Sequence, residues 1–80
     1  MEKEFVLEDR TITFTDVAVV LKSGEVNEGL LLHDSTDPWH DGDEICCTGV
    51  SMPETAEEAE YMLENENWQN TSFFKSYREV

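Results

Sequence analysis

The chain has 80 residues, 39% of them hydrophobic, and a formal net charge of -14 at pH 7 from 19 acidic and five basic side chains. A chain this short buries only roughly 60 to 65% of the surface its unfolded form exposes, so composition predicts one domain with a modest core and no large internal pocket, while its apolar content sets it apart from disordered acidic tails. The charge exceeds the magnitude of about 2 to 8 that keeps a small domain soluble; it disfavours direct contact with nucleic acid or an anionic membrane surface and points to a basic partner.

Taken in chain order, Glu4 to Glu8 and Thr11 to Thr15 alternate or carry β-branched residues and predict two strands turned at Glu8-Asp9-Arg10. Asp16 to Lys22 and Glu25 to His33 flank Ser23-Gly24, a two-residue connection of the hairpin type. Counting outward from it pairs Leu21 with Val26, Val19 with Glu28 and Val17 with Leu30. The runs Val17 to Leu21 and Leu30 to Leu32 are continuously apolar. Such runs predict central strands covered on both faces, or covered by a helix on one face and a partner molecule on the other.

Asp34 to Asp43 reads as an Asp-, Pro- and Gly-rich loop, followed by an apolar strand over Glu44 to Val50. Ser51 and Glu54 have the spacing of a capping box, with Pro53 in the first turn of the helix they would open. Met52, Ala56, Ala59 and Leu63 then form one apolar stripe, with the helix ending near Asn65 to Asn67 and Glu57, Glu58, Glu60, Glu64 and Glu66 away from the stripe or along its borders. Thr71 to Val80 is compatible with a last strand or a short helix. The expected fold is α+β: a mostly antiparallel sheet of four or five strands with one acidic amphipathic helix packed on it, all in a single domain over residues 1 to 80.

No window holds the 18 apolar residues of a membrane span, and MEKEFVLEDR lacks the basic and apolar regions of a secretory signal. The chain therefore reads as cytoplasmic. Cys46 and Cys47 are adjacent, and neighbours on a strand point to opposite faces, so a bridge between them is not expected. Asn70-Thr71-Ser72 fits the N-glycosylation pattern, which a cytoplasmic chain would not use.

Charge is unevenly distributed. Residues 23 to 74 hold thirteen Asp or Glu and no Lys or Arg. Solvated helices usually interleave lysine with glutamate, whereas like charges at i,i+4, as in Glu54 and Glu58 or Glu60 and Glu64, cost roughly 0.2 to 0.5 kcal/mol each. Carboxylates three or four residues apart on a helix lie about 5 to 6 Å from one another at Cβ, a spacing of the order of successive phosphates on a nucleic-acid strand. Glu57, Glu60 and Glu64, extended by Asp41, Asp43 and Glu44, are the candidates to occupy a groove of Lys and Arg, with arginine forks pairing to carboxylates as they do to phosphates. Trp39, between Pro38 and His40, is the candidate aromatic anchor, and Trp68 a cap on the small core.

In size, charge and its unpaired acidic helix the chain resembles the small acidic proteins that phages and mobile elements direct against host nucleic-acid machinery, including DNA-mimic anti-restriction proteins and several anti-CRISPR inhibitors. The likeness is one of class and transfers no residue. It implies a stoichiometric inhibitor in the host cytoplasm that blocks nucleic-acid binding, performs no chemistry and needs no cofactor.

Other constellations are weaker. His33, Asp34, Asp37, His40, Asp41, Asp43, Glu44, Cys46 and Cys47 are metal-ligating types, but no CxxC or HxxxH spacing occurs. An EF-hand begun at Asp37 places Trp39 at position 3 and Thr48 at position 12, which loses two ligands. No pair of carboxylates stands out for acid-base work, and a cysteine in an apolar strand beside an acidic loop has its thiolate disfavoured. Two alternatives to the inhibitor are a homodimeric structural or regulatory subunit joined through residues such as Val20 and Leu31, and a small module binding zinc through His33, His40 and a cysteine.

Overall fold

The computed structural model describes residues 1–35 and 43–80. Its elements are strands β1 (Glu2–Val6), β2 (Thr11–Val20), β3 (Val26–Asp34) and β4 (Glu44–Cys46), helix α1 (Ala56–Asn65), strand β5 (Gln69–Asn70), a 3₁₀ turn over Thr71–Phe73, and strand β6 (Ser76–Glu79). The fold is α+β, one helix on a mostly antiparallel sheet, with strand order β1-β2-β3-β4-β5 and β6 paired to β2.

The long strand β2 organises the sheet. Nothing between Thr15 and Asp16 breaks an extended chain, so the two strands expected on either side of that point form one. Along one edge β2 pairs with β3. Along the other it pairs first with β1, through Thr11 to Thr15, and then with β6, through Val17 to Val20. Asp16 sits at the junction: its N-H donates to the Met1 carbonyl at 2.9 Å, and its carbonyl accepts from the Val80 N-H at 3.1 Å.

The β2–β3 hairpin differs from expectation by one residue. Leu21 N-H donates to the Glu25 carbonyl and Gly24 N-H to the Leu21 carbonyl, at 2.8 and 2.9 Å, so the loop is the three residues Lys22-Ser23-Gly24. Gly24 has φ +93°, the left-handed conformation that such loops place at their third position. The register becomes Val20 with Val26, Ala18 with Glu28 and Val17 with Gly29, and Leu30 lies opposite Asp16. Because side chains alternate with period two, this slip puts Val17 and Leu30 on opposite faces.

Both faces of the sheet are covered. On one, Phe5, Ile12, Phe14, Leu30 and Leu32 pack with Ala59 and Met62 of α1. Phe5 meets Phe14 nearly edge to face at 6.0 Å, and Trp68 lies 5.9 Å from Phe14 while its indole N-H donates to the Met62 carbonyl at 2.8 Å. Trp68 thus caps this core. On the other face Val17, Val19 and Ile45 gather under Phe74, with Leu21, Leu31 and Cys47 around them. Phe74 arrives there because the chain crosses from β5 at one edge of the sheet to β6 at the other. Val17, Val19, Leu30, Leu31 and Leu32 of the continuous apolar runs therefore pack within the chain itself, while Ala18 and Val20 stay half-buried outside both clusters.

Helix α1 begins later than the first capping signal. Its N-cap is Thr55, whose hydroxyl accepts from Glu58 N-H at 3.1 Å, while the Glu58 carboxylate accepts from Glu54 N-H at 3.0 Å. Pro53 is fully buried in the lead-in, so Ser51 and Glu54 stand outside the helix. The buried side of α1 is Ala59 and Met62 with Leu63 beside them, and Ala56 is exposed. Strand β4 stops at Cys46, ahead of Gly49 with φ +80°. The C-terminal segment contains both expected elements: Asn70 caps the 3₁₀ turn by accepting from Ser72 N-H at 2.9 Å, and β6 follows.

Candidate functional site

Three elements meet at the C-terminal end of α1. Entry into β2 supplies Arg10, the end of β3 supplies His33 and Asp34, the start of β4 supplies Asp43 and Glu44, and the last turn of α1 with its exit supplies Glu64, Glu66 and Trp68. These residues line an open cleft of about 500 Å³, with Leu32 and Leu63 among its apolar walls.

Its arginine and its histidine are both already engaged. Arg10 Nη1 donates to Asp34 Oδ2 at 3.0 Å, and Arg10 Nε lies 4.0 Å from Asp9. His33 Nδ1 is 2.7 Å from Asp43 Oδ1. Glu64 and Glu66 make no ion pair among the described residues. They stand at a helix C-terminus with no basic residue in its last turn, where the helix dipole already places partial negative charge. Carboxylates there raise the electrostatic energy of the free protein and create a potential that a cation would relieve.

Of the acidic candidates, Asp43, Glu44 and Glu64 come together in this cleft. Glu57 and Glu60 are exposed on α1 and, with Glu64, fall within about 60° of arc at 3.6 residues per turn, away from Ala59 and Met62. They form one ridge that ends in the cleft at Glu64. Asp41 and Trp39, like His40, lie outside the described residues. Sequence reasoning missed Asp34 and Glu66 as neighbours of these groups. Arg10 and Asp34 are 24 positions apart and meet only because Ile12 pairs with Asp34 across β2 and β3.

No group of three or more His, Cys, Asp or Glu able to hold a metal occurs among the described residues. Cys46 is buried with its Sγ 3.1 Å from the Thr48 hydroxyl, Cys47 packs on the opposite face against the Phe74 cluster, and both thiols are free. Burial, and secondarily the neighbouring Cys46, push the Cys47 thiol above its ordinary value, which disfavours a nucleophilic thiolate. No helix among the described residues is long and apolar enough to cross a membrane. Leu31, a candidate dimer contact, is half-buried within the chain's own second core. Comparison with protein families, with characterised proteins and with solved structures gives no match.

Proposed function

We propose that this protein is a small acidic inhibitor that occupies the basic nucleic-acid-binding surface of a host defence enzyme of the CRISPR or restriction type and keeps DNA or RNA out. The observation that carries the reading is an acidic ridge joined to an acidic cleft: Glu57, Glu60 and Glu64, which make no ion pair among the described residues, run into a cleft that also holds Asp43, Glu44 and Glu66. Long-range attraction over roughly a Debye length of ~8 Å would steer the encounter, and arginines of the partner would pair with the carboxylates at contact. The alternative homodimeric subunit has less support at Leu31, which packs in the cluster under Phe74, than at Val20, which is half-buried and lies outside that cluster.

The test is capture of partners from host lysate at low and high salt, with competition by DNA and RNA. A basic nucleic-acid enzyme recovered at low salt, displaced by nucleic acid and lost on Glu57→Lys with Glu60→Lys and Glu64→Lys, is the expected result. A partner indifferent to salt, nucleic acid and charge reversal would overturn the mimicry.

A further inference from the structure

A second hollow, of about 800 Å³, opens on the other flank of α1, between the helix and the segment from Thr48 to Pro53. Its lining is unlike that of the acidic cleft. Met52, Met62, Val50 and Tyr61 give it an apolar character, while Glu57, Glu58 and Glu66 line it with carboxylates. Tyr61 is 65% exposed, one of the large apolar side chains that this small core leaves uncovered. Methionines adapt their shape to a guest more readily than branched residues do. Among the described residues, Val50, Ser51 and Met52 make no hydrogen bond to another segment, so their backbone groups border the hollow without protein partners.

We propose that this groove is a docking site for a basic peptide segment of a partner protein, one that places an apolar or aromatic side chain between lysines or arginines. The proposal rests on the reading of a basic partner made above and specifies how that partner is gripped. Charge complementarity selects the occupant: residues 23 to 74 contain no Lys or Arg, so every ionised group bordering the groove is a carboxylate. An apolar anchor over Tyr61, Met52 and Met62 would supply the desolvated centre that dominates binding energy, and flanking cations would meet Glu57 and Glu66 at the rim. A second copy of this chain is the less fitting occupant, since a net charge of -14 on each copy opposes close approach.

The test is selection from a displayed library of random twelve-residue peptides on the intact protein, followed by amide chemical-shift mapping of the enriched peptides. Expected are sequences with one large apolar residue among lysines or arginines, shifts concentrated at Val50 to Met52, Glu57, Tyr61 and Met62, and at least tenfold weaker binding to Tyr61→Ser, an exposed position that should leave the fold intact. Enrichment of purely basic peptides that bind Tyr61→Ser equally, shifts centred on His33 and Asp43, no enrichment, or a concentration-dependent dimer with its contacts in the groove would each overturn the proposal. Failure here with nucleic-acid competition intact would leave the inhibitor reading standing, and peptide docking without nucleic-acid competition would leave only the groove.

Discussion

Phe14 and Val17 lie three residues apart on one strand and are both buried, on opposite faces of the sheet. β2 therefore serves two small cores in succession: its first half packs under α1, its second half under Phe74. Each core is too small to be robust alone. The chain that crosses from β5 to β6 makes the second one possible.

Phe74→Ala should therefore destabilise the protein by about 3 to 5 kcal/mol, the usual loss for a buried phenylalanine, and should loosen β6 before β1. Phe73, next to it and 64% exposed, should tolerate alanine to within about 0.5 kcal/mol. Urea unfolding of both variants checks this, and equal losses would show that Phe74 does not seal the second face.

Gly29 faces the same core from β3. A Cβ there would stand 2.9 Å from the Cys46 carbonyl oxygen and 3.3 Å from methyl groups of Ile45 and Val19. Gly29→Ala should lose about 1 to 3 kcal/mol through displaced backbone. At Gly24, where φ is +93° and nothing lies within 4 Å, alanine should lose about 1 to 2 kcal/mol through backbone strain alone. Urea midpoints give the sizes. Amide shifts separate the causes, because only the first variant should move β4.

Two capping signals precede α1, and only the second is used. Thr55→Ala should cost about 0.5 to 2 kcal/mol, whereas Ser51→Ala should have almost no effect on the thermal midpoint. A larger loss at Ser51 would mean that the helix begins earlier in solution.

Much of the fold could be read from the sequence, and the misreadings have physical causes. Amphipathic and β-branched patterns gave the strands, the hairpin and the acidic helix, because burial of one face leaves a periodic trace. The hairpin register was missed by one residue, since Ser23-Gly24 fits a two-residue loop as readily as Gly24 closes a three-residue one. The helix start was missed because Ser51-x-x-Glu54 and Thr55-x-x-Glu58 have the same spacing, and only the burial of Pro53 decides between them. For the candidate site, Glu57, Glu60 and Glu64 were legible as an unpaired acidic ridge. Its junction with Asp43 and Glu44 and the pairing of Arg10 with Asp34 were not, because both depend on strand register.

Glu64 links stability to function. Glu64→Lys places a cation where the helix dipole favours one and relieves repulsion with Glu60. The variant should unfold at a higher urea concentration than the parent while capturing less of the basic partner. A change of both properties in the same direction would separate Glu64 from the binding surface.

Cys47 gives the molecule an alkaline dependence. Its folded pKa is raised above the ordinary 9.0 by burial and then by Cys46. Its contribution to stability is thus whole below the unfolded pKa and is lost as pH rises through the folded one. Comparing urea midpoints from about pH 7 to pH 10, the Cys47→Ser variant should lose less than the parent. Iodoacetamide should also label Cys47 more slowly than a cysteine in an unstructured peptide.

The arrangement of β1 and β6 end to end along one edge of β2 also shapes the molecule's electric field. Lys3, Lys75 and Arg78 fall on or beside these two strands, where they balance Glu2, Glu4 and Glu79. That edge is nearly neutral, while the negative charge accumulates around α1 and the cleft at its end. The charge is thus unevenly distributed as well as negative in sum. In the field of a positively charged surface the protein would feel a torque before contact, turning its acidic pole forward so that more collisions begin in the orientation that binds.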